Sequence, residues 1–499
     1  MRDAISNKSC VYTNADGEMY IVPAKGVLRL QFWVNELFER LGGEVNKNLL
    51  SAKVELTAHR VDNGHEVSGS AETTVPLHVL LQKLIVLLPG VMASSLWVKD
   101  TKCYPGLIGV AAKLRQLACS EEGEPEAAAE QICFVTPGNP YATTDWVKVL
   151  NKGLPALKVL VSKNVFGEKY DDVPYYAIQG YPYDWRLKAS VIIEALFGAE
   201  AAVPKDYVDA TFKGEPHFFV KLGVKPLSLR TIIKYWSARS PFLHEKASLM
   251  GHSTGAALMN GIVRDDRAKD LVDKAFFVAA PFYGALKAYN AFLCGTMNLG
   301  AAESFVLEKN EMLKLGKNLP VLYFLMPTAS FPFPVVEITE KDDEKGYYRT
   351  ERAAEAMDAI VDFATVHNIT ALTANAVKWN RTLAGVAATF SENCQQTPVA
   401  IGEDNCVVYW STMGPQSTIG TIRYDARLSY QGAADKRIAY RMTGGDGTVP
   451  AESLRGAFPE KCLFKVTEEG HLDHVAIIAA KSLWAKTAAT LGDVLPKKG

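Results

Sequence analysis

Ala247-Ser-Leu-Met-Gly251-His252-Ser253-Thr254-Gly255-Ala-Ala-Leu258 decides the fold. An apolar run leads into Gly251-His252-Ser253-Thr254-Gly255, and small, helix-compatible residues follow. A strand that turns sharply into a helix in this way carries its serine on a strained backbone, with the hydroxyl exposed at the bend. Glycines two residues before and two after keep side chains out of the turn. The pentapeptide alone is modest evidence, since about 0.15 copies are expected by chance in a chain of this length. Its strand–turn–helix setting sharpens it, and partner residues further along must carry the rest.

Working outward, short apolar strands alternate with helical patterns. Leu84-Ile-Val-Leu-Leu88 is apolar throughout, as a central parallel strand covered on both faces would be. Tyr175 to Gln179, Ala247 to Met250, Ala275 to Ala280, Cys406 to Trp410 and Cys462 to Val466 read as further strands, with a helix from about Gly255 to Arg267. This interleaving predicts an α/β fold: a mostly parallel central sheet flanked by helices. The core falls at 81–284, with an insertion at about 98–175, and resumes at 401–499. Between them, 285–400 shows helical patterns and few strand signals, and reads as a large cap or lid insertion. Residues 1–80 differ. Lys53 to Val61 alternates polar and apolar residues, Asp62-Asn63-Gly64-His65 signals a turn, and Ser70 to Leu80 resumes an extended pattern. This is a small β-rich N-terminal accessory segment.

At 499 residues the chain exceeds the usual ceiling for one compact core, which fits a catalytic domain carrying insertions. A net charge of −1 gives no basic surface for nucleic acid and no bulk attraction to an anionic membrane. The longest apolar tract, Leu84 to Val98, is broken by Pro89-Gly90 and is too short to span a bilayer. The first residues lack the apolar core of a signal peptide, so the reading is a cytoplasmic protein or one exported by a signal-independent route. The eight cysteines form no C-x-x-C and no zinc-like spacing with histidine, and free thiols are expected. Cys103, Cys119 and Cys133 lie near enough in sequence to pair if the chain is exported. No metal or organic cofactor is expected.

A serine hydroxyl is a weak nucleophile at neutral pH and needs an imidazole to take its proton. The imidazole needs a carboxylate to fix its tautomer and stabilise its charged form. The C-terminal region supplies both in the order acid, then histidine. Arg441-Met-Thr-Gly-Gly-Asp446-Gly-Thr-Val-Pro450 places glycine on both sides of Asp446, a sharp loop able to aim a carboxylate into a cleft. An ordinary Asp-Gly turn is the plain alternative. Glu468-Glu-Gly-His471-Leu-Asp-His474-Val-Ala-Ile-Ile478 reads as the opening of the terminal helix, with Asp473 as its cap. His474 is favoured as the base, with His471 the competitor. The oxyanion needs backbone donors: Thr254 N–H after the nucleophile, and an amide of the Leu88-Pro-Gly-Val91-Met92 loop, Val91 first and Met92 as alternate. Gly180-Tyr-Pro-Tyr-Asp184-Trp-Arg186 reads as a rigid aromatic turn with a structural Asp–Arg pair, or as part of an acyl pocket.

Taken together, Leu-Leu-Pro-Gly-Val-Met-Ala-Ser-Ser-Leu, Tyr-Pro-Tyr-Asp-Trp-Arg, Gly-His-Ser-Thr-Gly and Gly-Asp-Gly-Thr-Val-Pro, in that order, resemble the lecithin–cholesterol acyltransferase-like lipases. That group includes lysosomal phospholipase and phospholipid:diacylglycerol acyltransferases. The resemblance implies an α/β-hydrolase fold with a lid and cap, and movement of an acyl chain from a lipid ester to water or an alcohol. By motif position it points to Ser253, Asp446 and His474 and to the Val91 and Thr254 amides. The segment before residue 80 has no counterpart in it. The expected activity is a serine-dependent carboxylic ester hydrolase acting on lipid-like esters, with transient contact to a lipid interface through the cap. A lipid acyltransferase, an inactive hydrolase-scaffold binding protein and an exported toxin-like lipase delivered by 1–80 are the rivals.

Overall fold

The computed structural model describes residues 9–13, 19–23, 51–62, 65–76, 82–98, 101–104, 115–134, 176–203, 210–211, 218–222, 226–238, 243–294, 313–339, 348–351, 353–368, 378–425, 430–431, 434–435, 438–467 and 472–491. The chain divides into two compact units, Met1–Leu80 and Leu81–Gly499. The first holds an antiparallel sheet in the order Met19–Pro23, Ser9–Thr13, Ser51–Asp62, His65–Pro76. Its long strands pair from Ser51↔Pro76 to Asp62↔His65.

The second unit is built on an eight-stranded sheet. In chain order its strands are β1 (Gln82–Leu88), β2 (Tyr176–Gly180), β3 (Ala210–Thr211), β4 (Phe218–Leu222), β5 (Leu243–His252), β6 (Val272–Val278), β7 (Cys406–Trp410) and β8 (Leu463–Lys465). Across the sheet the order is β3-β4-β2-β1-β5-β6-β7-β8. The β3·β4 pairing is antiparallel and every other pairing is parallel. Leu84 to Leu88 are each no more than 1% exposed, the burial that their unbroken apolar run requires with cover on both faces. Helices flank the sheet. Helix α1 (Leu229–Ser237) starts at Ser228, whose side chain accepts from Thr231 N–H, and buries Leu229, Ile232 and Trp236 at helical spacing. Helix α2 (Thr254–Ile262) is rich in small residues and buried along most of its length, as a helix pressed against the sheet must be. This is an α/β fold.

The topology positions the site. In parallel sheets, ligands and functional loops gather beyond the carboxyl ends of the strands. β1 and β5 are neighbours in the register Gly251↔Leu88. The loop leaving β1 and the serine leaving β5 therefore emerge side by side.

The expected boundaries shift at several elements. β5 begins at Leu243, where it pairs with Gln82, several residues before the apolar run. The last strand shortens to Leu463–Lys465, because Glu460–Cys462 is a 3₁₀ turn. The terminal helix begins at Lys481, later than His474 to Ile478 suggest, and Ala476–Ala479 is a separate 3₁₀ turn. Strands also occur inside the stretch that reads as helical. Val336–Thr339 and Tyr348–Glu351 join Thr418–Asp425 and Ile438–Thr443 in a second sheet. Glu337, 4% exposed, is paired there by Arg423 and Arg441 on the neighbouring strands. Among the described residues no helix is long and apolar enough to cross a membrane. Cys119, Cys394, Cys406 and Cys462 are buried thiols, and Cys103 donates to Gln116 Oε1. Cys133 carries no described side chain, so a pairing through it lies outside the described residues.

Candidate active site

Ser253 stands between β5 and α2 with φ 54° and ψ −120°. An L-residue reaches that backbone only at a cost of about 1–3 kcal/mol, and the surrounding structure must hold it there. Its N–H donates to Val278 O at 2.9 Å, and its carbonyl accepts the Ala257 N–H at 3.0 Å. Gly255 makes the second half of the turn feasible. A Cβ there would strike the Leu88 and Pro89 carbonyl oxygens. The missing side chain lets the helix start press against the end of β1, which brings the loop after β1 to the serine.

Asp446, His474 and Ser253 form one hydrogen-bonded line. His474 Nδ1 lies 2.6 Å from Asp446 Oδ2, and His474 Nε2 lies 2.8 Å from Ser253 Oγ. A carboxylate only accepts, so Nδ1 carries the hydrogen and Nε2 offers its lone pair to the serine hydroxyl. Asp446 is fully buried, and its Oδ1 accepts from Thr448 N–H at 2.9 Å and Val449 N–H at 2.8 Å. Gly447, at φ +86°, supplies the left-handed step that folds these amides back onto the carboxylate. The His474 N–H donates to Asp446 O at 2.9 Å, so the two residues are tied by backbone as well as side chain. Asp473 Oδ1 accepts from Val475 and Ala476 N–H and caps the turn that follows. His471, the competing base, lies outside the described residues.

The loop after β1 is a tight turn. Ala93 N–H donates to Gly90 O at 3.2 Å, and Met92 sits at φ 61°, the positive third position of a type II pattern. A Cβ on Gly90 would stand 3.3 Å from Ser253 Cβ. Val91 and Met92 are thus beside Ser253. Thr254, the first residue of α2, has an N–H with no partner inside the helix, because a helix leaves its first amides unpaired.

The aromatic turn at 180–186 clamps this loop. Tyr183 O–H donates to Pro89 O at 2.7 Å, Trp185 Nε1–H donates to Ser94 O at 3.2 Å, and Tyr183 N–H donates to Ser94 Oγ at 3.3 Å. Burial pushes the Tyr183 phenol up, so it keeps the proton it donates. Arg186 is fully buried and meets Asp184 through Nε at 2.9 Å and Nη2 at 2.6 Å. Its remaining donors reach the carbonyls of Gln116 and Ala127. Asp184→Ala should lower stability by about 3–5 kcal/mol, because it leaves the guanidinium buried without its carboxylate. Thermal unfolding checks this, and an unchanged melting temperature would show that the pair contributes nothing.

Several site residues carried no signal in the sequence. Thr418 Oγ1 accepts the Gly447 N–H at 2.9 Å, and Ser411 Oγ donates to Leu472 O at 3.1 Å. Both arrive through strand pairing that local sequence does not display. His252 is legible in the sequence as an imidazole directly before Ser253 at the end of an apolar strand. It is 2% exposed, and its Nε2 lies 2.8 Å from His474 O. Burial, with His474 adding to it, pushes the His252 imidazole down to about 3. The unfolded chain takes up a proton on such a group near pH 6.5, and the folded chain does not. This contribution to stability is intact above pH 6.5 and is lost at about 1.4 kcal/mol per pH unit as pH falls from there towards 3. The wild-type melting temperature should therefore drop more between pH 6.5 and pH 5 than that of His252→Gln. Equal drops would show a solvated imidazole.

A mostly parallel sheet with a strained serine at the strand–helix turn, a histidine and a carboxylate defines the α/β-hydrolase class. Residues 229–398, which contain the elbow, match the family model described as lecithin:cholesterol acyltransferase. This match supports a lecithin:cholesterol acyltransferase-like lipase or acyltransferase of the α/β-hydrolase superfamily. The family's chemistry is hydrolysis of lipid esters or transfer of their acyl groups. Val91, Asp446 and His474 lie outside the matched stretch. Comparison with curated proteins finds no match.

Proposed function

We propose that the protein is a serine-dependent carboxylic ester hydrolase that takes the acyl group of a lipid-like ester onto Ser253. The observation that carries this reading is the Asp446–His474–Ser253 line, with contacts of 2.6 and 2.8 Å. Ser253 Oγ attacks the ester carbonyl while His474 Nε2 takes its proton. Asp446 holds the ring in the correct tautomer and stabilises the imidazolium. The Thr254 and Val91 amides receive the developing oxyanion, each worth about 3 kcal/mol in sites of this kind. His474 then protonates the leaving alcohol, and water or a second alcohol, activated by the same imidazole, releases the acyl group. Residues 285–400 act as the cap, and transient contact with a lipid interface runs through it.

The family description favours one second reading, in which an alcohol takes the place of water. A phospholipid substrate supplied with a long-chain alcohol separates the two. Free fatty acid alone marks a hydrolase, and a new ester marks an acyltransferase. A fluorophosphonate probe should label Ser253, located by peptide mass spectrometry. An unlabelled Ser253 in folded protein would overturn both readings and favour an inactive binding scaffold.

A further inference from the structure

The histidine loop is held to the elbow by a residue that the acyl-transfer chemistry does not use. The main chain of His474 is held on both sides, donating at its N–H and accepting at its carbonyl. Its N–H reaches Asp446 O at 2.9 Å, and its carbonyl meets His252 Nε2 at 2.8 Å. A carbonyl only accepts, so His252 Nε2 carries the hydrogen and donates it. His252 is 2% exposed at the last position of β5, directly before Ser253, so it moves with the elbow. The two imidazoles lie with ring centroids 5.2 Å apart and planes tilted by 45°. One buried donor therefore spans from the strand that carries the nucleophile to the main chain of the residue that receives its proton.

We propose that His252 is a positioning residue for the base: its Nε2–H, set on the His474 carbonyl, fixes the histidine loop against the elbow and keeps His474 Nε2 on Ser253 Oγ. This rests on the reading of Ser253 and His474 as nucleophile and base. The contact needs a donor at the end of a side chain of this length and no positive charge. The depressed basicity of the buried ring fits that need, since a neutral ring does not oppose the charge that His474 takes on during turnover. Small displacements of reacting groups are costly, and a shift of about 1 Å lowers rates by roughly 100-fold.

The test compares three variants of the full chain. His252→Phe keeps the bulk and removes the donor. His252→Gln places an N–H near the position of Nε2, and His252→Asn carries the same amide too short to reach. Against a chromogenic ester, Phe and Asn should lower kcat by roughly 10- to 100-fold, the size of one lost buried hydrogen bond plus the misplacement it permits. KM should stay within about twofold, and phosphonylation of Ser253 should slow in parallel with kcat. Gln should recover kcat to within about fivefold of wild type. If Phe does not fold, the contrast between Gln and Asn decides. Equal kcat for Gln and Asn, or wild-type kcat in Phe, overturns the positioning role while Ser253 labelling in the wild type leaves the ester-hydrolase reading intact. A wild-type Ser253 that resists phosphonylation overturns both.

Discussion

Ser253→Ala should lower kcat on a chromogenic long-chain ester by about 10⁶-fold, close to 8 kcal/mol of transition-state stabilisation. The size follows from the way the hydrogen-bonded line acts. In the proposed mechanism Oγ is the atom that becomes covalently bonded to the acyl group, and His474 Nε2, 2.8 Å away, has a proton to accept only if that hydroxyl is present. Residues that act as a unit are non-additive. His474→Ala should therefore cost nearly as much, and the double variant little more than either alone. The substitution is benign for folding, because alanine meets the same strain at φ 54° as serine does and the partner it leaves, His474 Nε2, is partly exposed to water. Circular dichroism and melting temperature should match wild type. A Ser253→Ala protein within tenfold of wild-type turnover would remove Ser253 from the chemistry.

What could be read from the residues alone follows from how local each feature is. The elbow needs a strand, a turn and a helix within a dozen residues, and all of that is written at 247–258. The parallel sheet was legible because strands covered on both faces are apolar throughout, as Leu84 to Leu88 are. Harder to read were the short strands of the second sheet. Val336–Thr339 contains a charged Glu337, which sequence patterning counts against a buried strand. That charge is tolerated because Arg423 and Arg441 meet it from strands about 90 to 100 residues later. The supports of the candidate site were hidden for the same reason. Gly180 to Arg186 announces a rigid turn, but its grip on Pro89 and Ser94 depends on β2 lying beside β1, which no local pattern states. His252 lies one position before Ser253. Its partner is a main-chain carbonyl 222 residues away, and a carbonyl has no sequence identity to find.

Asp446→Asn should leave the fold intact and lower kcat by about 10⁴-fold, more than the loss of one charge would suggest. Oδ1 of Asp446 accepts the amides of Thr448 and Val449, at 2.9 and 2.8 Å. In the variant these two donors demand an oxygen, so the asparagine carbonyl takes the place of Oδ1 and its NH₂ takes the place of Oδ2. That NH₂ then faces His474 Nδ1 as a donor, and Nδ1 must give up its hydrogen to accept. The proton moves to Nε2, which points an N–H at Ser253 Oγ where a lone pair is needed. The geometry survives, but the base is in the wrong tautomer. Asp446→Ala is the informative control. It also removes the acceptor for the two amides, so it should lose stability as well as activity. Its histidine, relieved of a competing donor, can return to the Nδ1–H tautomer for a fraction of the time. Steady-state kinetics with melting temperatures for both variants would test the account. An asparagine variant within about 30-fold of wild type would mean that the carboxylate does not set the tautomer, and that another group holds the hydrogen on Nδ1.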